Sequence, residues 1–252
     1  MKFAAIIPAR YASTRFPGKP LALLGSKPIV QWVYERVSSV IEDTYVATDD
    51  ERIMETVASF GGKAVMTRTD HRSGTDRCWE AVSKLGADMF DVIINVQGDE
   101  PFVNAEQIES VKDCFTDDKT DIATLVMPFG PDTPIETLAN PNSPKVVVGK
   151  DMQALYFSRS VIPYMRGADK AEWAARHTYY KHIGLYAYRT EVLRQITMLP
   201  PSPLEIAESL EQLRWLENGL RIQVALTNQE TVGIDTLQDL TKAEEYLAKL
   251  QS

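Results

Sequence analysis

Short apolar runs alternate along this chain with stretches whose apolar residues recur at helical spacing. Phe3 to Ile7 is one such run, short enough for a strand buried on both faces, and Pro8 stops it. Ile29, Val33, Val37 and Val40 then recur with the period of a helix, and Pro28 sits in its first turn. Thr44 to Thr48 reads as a strand. A helix follows whose inner face is Ile53, Val57 and Phe60, with Asp49 or Asp50 as its cap and Gly61-Gly62 as its end. Lys63 to Met66, Val92 to Val96 and Ile122 to Met127 are further strands. The helices between them run from Thr75 to Leu85 and through Ile108, Val111 and Phe115, the second opened by the capping pair Asn104 and Gln107. Such an alternation with short links predicts a three-layered, Rossmann-like α/β fold with a mostly parallel sheet.

The rhythm changes near residue 128. Prolines at 128, 131, 134, 141 and 144 break the alternation, and Lys145 to Val148 with Ala154 to Phe157 reads as a hairpin around Gly149-Lys150-Asp151. The stretch from Ser160 to Tyr180 is irregular and holds Tyr164, Trp173, Tyr179 and Tyr180, aromatics that call for either a subunit interface or packing within the chain. A strand pattern resumes at His182. Helices are then expected over Thr190 to Ile196, over Glu205 to Glu217 with Ile206, Leu210, Leu213 and Leu216 inward, and over Thr236 to Leu250. The partition expected is one domain over 1–252 with a lobe inserted at about 129–190.

Composition narrows the function classes. The chain has 252 residues, 44% of them hydrophobic and 25% charged, as in an ordinary globular protein with a sizeable core. A net charge of -8 disfavours coating nucleic acid or an anionic membrane, so no nucleic-acid partner is expected. Cys78 and Cys114 read as reduced thiols, not as a disulfide or zinc site. The apolar run before Pro8 is too short for a signal peptide and no long apolar span follows, so a cytoplasmic protein without membrane insertion is expected.

The chemistry concentrates behind the first strand. Arg10, Arg15 and Lys19 follow Pro8 and Ala9 with no acid among them, and Ser13, Thr14 and Gly18 add hydroxyls and a flexible position. Loops leaving the strands of an open α/β sheet are the usual phosphate sites, which favours a polyphosphate ligand over a merely solvated basic loop. Pro20 after Gly18-Lys19 excludes a P-loop, so side chains must supply the charge. The polar segment from Thr67 to Gly74 is either a solvated turn capped by Thr75 or a set of donors and acceptors, Arg72, Ser73 and Gly74 among them, for a base edge. Gln97-Gly98-Asp99 closes another strand, and Asp99 suits magnesium beside nucleotide phosphates. Asp235 is the second carboxylate such a site wants, although it serves equally as the N-cap of the last helix. Asp49-Asp50 reads as helix capping, with metal binding of the glycosyltransferase kind as the other possibility.

Several segments together resemble the 3-deoxy-manno-octulosonate (Kdo) cytidylyltransferases. They are Ile7 to Leu21, Thr67 with His71 to Arg77, Gln97 to Pro101, Tyr156 to Arg159, His182 to Tyr186, Leu210 to Arg214 and Gly233 to Thr236. The resemblance implies a nucleotide-diphospho-sugar transferase type of fold, an inserted lobe that forms a homodimer, and transfer of CMP from CTP to Kdo with release of pyrophosphate, for lipopolysaccharide biosynthesis. It assigns cytosine recognition to the Thr67–Gly74 segment and magnesium to Asp99 and Asp235, and it puts Gln97, Arg159, His182, Tyr186, Glu211 and Gln212 around the Kdo. Lys19 and Arg10 join the aspartates as the catalytic set. A close analogue such as 8-amino-Kdo is an alternative sugar, a related-fold glycosyltransferase an alternative enzyme, and a CTP-binding module without turnover an alternative class.

Overall fold

The computed structural model describes residues 1–12, 15–230 and 233–251. In chain order its elements are β1 (Phe3–Ala9), β2 (Leu23–Leu24), β3 (Lys27–Pro28), α1 (Ile29–Ser38), β4 (Thr44–Thr48), α2 (Glu51–Ser59), β5 (Ala64–Met66), α3 (Gly74–Leu85), β6 (Val92–Asn95) and α4 (Ala105–Asp113). There follow β7 (Ile122–Pro128), α5 (Ile135–Leu138), β8 (Lys145–Val148), β9 (Ala154–Ser158), α6 (Trp173–Arg176), β10 (Tyr180–Arg189), α7 (Thr190–Thr197), α8 (Pro203–Glu208), α9 (Glu211–Glu217), β11 (Ile222–Leu226) and α10 (Leu237–Gln251). The chain forms two compact units, one of Met1–Glu109, Tyr188–Thr197 and Thr231–Ser252, the other of Ser110–Ala187 and Met198–Glu230.

In the first unit β1 pairs in parallel with β4 on one side and with β6 on the other, and β4 pairs in parallel with β5. The order β5-β4-β1-β6 means that the chain winds outward from β1 in one direction and then returns to begin again beside it. Ligands of such sheets bind at the carboxyl ends of the two strands where the winding reverses, here β1 and β6. Ala4 to Ile7 and Val92 to Ile94 are fully buried, as strands covered on both faces must be. A separate apolar cluster of Leu24, Ile29, Phe102, Ile234, Ala243 and Leu247 holds α10 and the segment before it against this unit.

In the second unit β11 runs parallel to β7, and β8 pairs antiparallel with both β9 and β10. The hairpin read from Gly149-Lys150-Asp151 is therefore the β8–β9 pair. Trp173 and Tyr179 are buried with Leu138, which settles those two aromatics in favour of packing within the chain, whereas Tyr164 is 72% exposed.

Three local readings are corrected, and one small element is added. The helix expected over Glu205 to Glu217 is two helices, broken at Ser209, which adopts a left-handed φ of 50°. Ile206, expected inward, consequently lies 69% exposed on α8, while Leu210 and Leu213 are buried. Helix α3 is capped by Ser73, whose Oγ accepts the N–H of Asp76, and Thr75 lies inside the helix. The two-residue strands β2 and β3 form a small hairpin that the apolar pattern is too short to reveal.

Candidate active site

A cavity of about 290 Å³ opens at the carboxyl ends of β1 and β6. It is lined by Pro8, Ala9, Arg10, Arg15, Lys19 and Pro20 from the loop after β1, by residues 71–74 and Arg77 from the start of α3, by Gln97, Gly98 and Asp99 after β6, and by Asp235. Of the residues read from sequence as nucleotide-binding, catalytic or metal-binding, this one cavity gathers all except Ser13, which lies outside the described residues. Pro20 and Arg77 are wall residues to which the sequence reading gave no role of their own, and His71 belongs to the segment read as base-recognising.

Local chemistry explains how each wall is held. The carbonyl of Tyr11 accepts the N–H of Gly18 at 2.9 Å and closes the basic loop, and the Arg52 guanidinium stacks 3.4 Å from the Tyr11 ring centroid. Gly18 has φ 72°, a conformation glycine adopts without strain, and a Cβ there would crowd the Tyr11 ring at 3.1 Å. The constraint at Gly98 is steric alone. A Cβ there would lie 2.5 Å from the carbonyl oxygen of Pro8, so only glycine lets the loop after β6 pass this close to the end of β1.

The paired acids after β4 divide their work. Asp50 caps α2 by accepting the N–H of Arg52, while Asp49 accepts from the buried Arg77 guanidinium at 2.8 Å. Arg77 also donates to Thr67 Oγ1 at 2.6 Å, which fixes the start of the segment read as base-recognising. Half-buried His71 bonds Glu80. Burial alone pushes the Glu80 carboxyl up, but Lys84, the Arg68 N–H and His71 outweigh it and hold its pKa at about 2.

On the cavity floor Lys19 Nζ lies 2.6 Å from Asp99 Oδ2 and 3.1 Å from Asp235 Oδ1, and Arg15 reaches Asp235 Oδ2 at 3.1 Å. Asp235 does not cap α10. Thr236 Oγ1 accepts the N–H of Asp239, and the Asp239 carboxylate accepts the N–H of Thr236. The capping possibility for Asp235 is thereby answered by its neighbour. Two hard carboxylates that already converge on one cation are a donor set suited to magnesium, which takes one or two carboxylates and completes its shell with phosphates and water. Among the described residues no cluster of three or more His, Cys, Asp or Glu side chains offers a metal a complete protein cage.

Gln97 is the one sugar candidate in this cavity, and the others belong to the second unit. There His182 Nε2 lies 3.1 Å from Thr124 Oγ1, and its ring meets those of Phe157 and Tyr186, each at 5.3 Å. Burial lowers the His182 pKa to about 4, so the imidazole is neutral near pH 7. Tyr186, whose hydroxyl pKa is raised by burial and then by Glu211, packs on Trp215. Buried Gln212 follows Glu211 at the start of α9, and its Nε2 has no hydrogen-bond partner among the described residues. The Arg159 guanidinium donates to the carbonyls of Pro141, Glu208 and Ser209.

Parallel strands winding out from a cation-lined cavity at their reversal point define the class: an α/β fold of the nucleotidyltransferase type. A cytidylyltransferase family model matches residues 4–222. The 3-deoxy-manno-octulosonate cytidylyltransferase of Bacteroides thetaiotaomicron is 64% identical over 98% of both chains, and that of Porphyromonas gingivalis is 56% identical over 96% of this chain and 95% of its own. A solved structure of CMP:2-keto-3-deoxy-manno-octonic acid synthetase complexed with CTP superposes with a TM-score of 0.90 at 42% identity, covering 99% of each chain. The chain belongs to the cytidylyltransferase family, with the 3-deoxy-manno-octulosonate cytidylyltransferases among its relatives.

Proposed function

We propose that this chain transfers CMP from CTP to Kdo, forming CMP-Kdo and pyrophosphate. The observation that carries the reading is the convergence of Arg10, Arg15 and Lys19 with Asp99 and Asp235 at the reversal point of the sheet, in a family that transfers cytidylyl groups. In the reaction the 2-hydroxyl oxygen of the sugar bonds the α-phosphorus, the bond from that phosphorus to the bridging α–β oxygen breaks, and the hydroxyl proton leaves to solvent. No covalent enzyme intermediate is needed, so catalysis rests on positioning and on neutralising phosphate charge. Arg10, Arg15 and Lys19 take the triphosphate, with Lys19 or Arg10 offsetting the charge on the departing pyrophosphate. Arg72, Ser73 and Gly74 face the base. Asp99 and Asp235 would hold magnesium, which supplies charge neutralisation and lowers the pKa of a coordinated hydroxyl. Arg159, His182, Tyr186, Glu211 and Gln212, together with Gln97, are assigned to the sugar acid, and the buried Gln212 Nε2, which has no hydrogen-bond partner among the described residues, supports a polar ligand there.

Two further parts of the reading concern assembly and place. A homodimer through the lobe of residues 129–190 is supported by the exposed Leu155 and Tyr164. A cytoplasmic location is supported by Cys78 and Cys114, which form no disulfide among the described residues, and no helix among the described residues is long and apolar enough to cross a membrane.

The test is pyrophosphate release from CTP, UTP and ATP, each with Kdo, 8-amino-Kdo or no sugar. The reading expects release with CTP and Kdo together. Release independent of sugar, or preference for the amino sugar, would revise it.

A further inference from the structure

Lys145 is a fully buried lysine that the reaction above does not use. Its Nζ donates to the carbonyl of Arg159 at 2.6 Å and to that of Asn140 at 2.9 Å. Burial lowers its pKa while the nearby Glu208 carboxylate opposes that shift. A buried cation is costly unless its hydrogens are bonded, so such a lysine fixes whatever it holds.

What it holds is defined by the strand register. Lys145 on β8 stands opposite Lys181 on β10 and opposite Ser158 on β9. His182 and Arg159 are the next residues along after Lys181 and Ser158. The carbonyl of Pro144 accepts the N–H of His182 at 2.9 Å. Pro144 has no N–H to return to His182, and the Arg159 carbonyl takes its donor from the Lys145 side chain. The Arg159 N–H is taken by Glu208 Oε2 at 2.9 Å, and Glu208 Oε1 accepts from the buried Ser158 hydroxyl at 2.6 Å. Both backbone polar groups of Arg159 are thus bonded to ionised side chains. Its guanidinium then bridges the loop at Pro141 to the left-handed corner at Ser209, two residues before Glu211.

We propose that Lys145 and Glu208 are positioning residues for the sugar site. They fix the backbone of Arg159 and, through its guanidinium, the break between α8 and α9 from which Glu211 and Gln212 extend. This rests on the reading that His182 and Gln212 meet the sugar acid.

The experiment compares Lys145→Met, Glu208→Gln, His182→Asn and Gln212→Ala by the KM for Kdo, the KM for CTP and a melting curve. Lys145→Met keeps length and removes the donors, and Glu208→Gln leaves the buried ammonium in place, so it informs even if Lys145→Met fails to fold. The proposal expects both to raise the KM for Kdo about tenfold, the size of one charge-assisted hydrogen bond, with the KM for CTP unchanged within about twofold. Equal loss against both substrates alongside a lowered melting point marks a merely structural role and overturns it. An unchanged KM for Kdo in both variants, or in Glu208→Gln alone where Lys145→Met does not fold, overturns it too. If His182→Asn and Gln212→Ala keep the wild-type KM for Kdo, the sugar-site reading itself fails, and the proposal with it.

Discussion

The N–H of Ile234 donates to the carbonyl of Asp99 at 2.9 Å, joining the segment that carries Asp235 to the loop that carries the other carboxylate. Ile234 is itself fully buried against Leu24, Ile29 and Phe102. One backbone bond and one buried side chain therefore place two distant aspartates around the same lysine. Because Thr236 and Asp239 cap α10, Asp235 contributes only its backbone N–H to the helix start, and its carboxylate faces Lys19 and Arg15 instead.

Thr236→Ala should accordingly lower stability by about 0.5–2 kcal/mol, the usual cost of a lost cap, without altering the KM for CTP. Denaturant unfolding with steady-state kinetics checks this. A stability loss accompanied by a large rise in the KM for CTP would mean that the cap and the cavity floor are not separable.

Lys19→Met removes the counter-ion that Asp99 and Asp235 share and leaves Asp235 paired with Arg15. CTP use should fall about tenfold to a hundredfold, the value of one or two charge-assisted phosphate contacts. Manganese binding without nucleotide, read by electron paramagnetic resonance of the free ion, should tighten, since the ion no longer competes with an ammonium for the carboxylates.

Gly98→Ala puts a methyl group against the Pro8 carbonyl, which is part of β1 and cannot move aside. Overpacking of this kind costs about 1–3 kcal/mol, and the displaced Asp99 should raise the KM for CTP. Gly130→Ala, whose Cβ would meet nothing nearer than 3.9 Å, is the comparison and should stay within about 0.5 kcal/mol of wild type.

The pH dependence of stability follows from His182. Its folded pKa of about 4 lies below the ordinary value of 6.5, so the unfolded chain binds the proton first. Its contribution is fully present above pH 6.5 and is lost progressively as pH falls towards 4. Glu80, held at about 2 from an ordinary 4.5, adds a loss of the same sign in the lower window from 4.5 to 2. Melting temperatures of wild type and His182→Asn between pH 7 and 4.5 separate the two, and the variant should show the flatter slope.

Much of this was legible because it depends on local pattern. The run from Phe3 to Ile7, the proline after it and the spaced cations beyond place the loop, since a strand buried on both faces cannot be polar. The break at Ser209 was hidden because serine is no helix breaker by propensity. The left-handed turn there is held by distant partners, with the Ser209 carbonyl bonded to the Arg159 guanidinium. The division of Asp49 from Asp50 was hidden for the same reason. Either can cap α2, and only the buried Arg77, brought over from α3, shows which one is needed elsewhere. Arg77 stood in plain view in the segment from His71, but a buried ion pair leaves no mark in sequence spacing.

The central claim, that Asp99 and Asp235 form one metal site serving CTP held by the basic loop, is tested most directly by turnover of CTP and Kdo against magnesium concentration in Asp99→Asn and Asp235→Asn, with a melting curve for each. Asparagine keeps the size and most of the hydrogen bonding while removing the charge that a hard cation requires. The account predicts that both variants melt close to wild type and lose turnover at every ordinary magnesium concentration. An Asp235→Asn enzyme with wild-type turnover and wild-type magnesium dependence would contradict it.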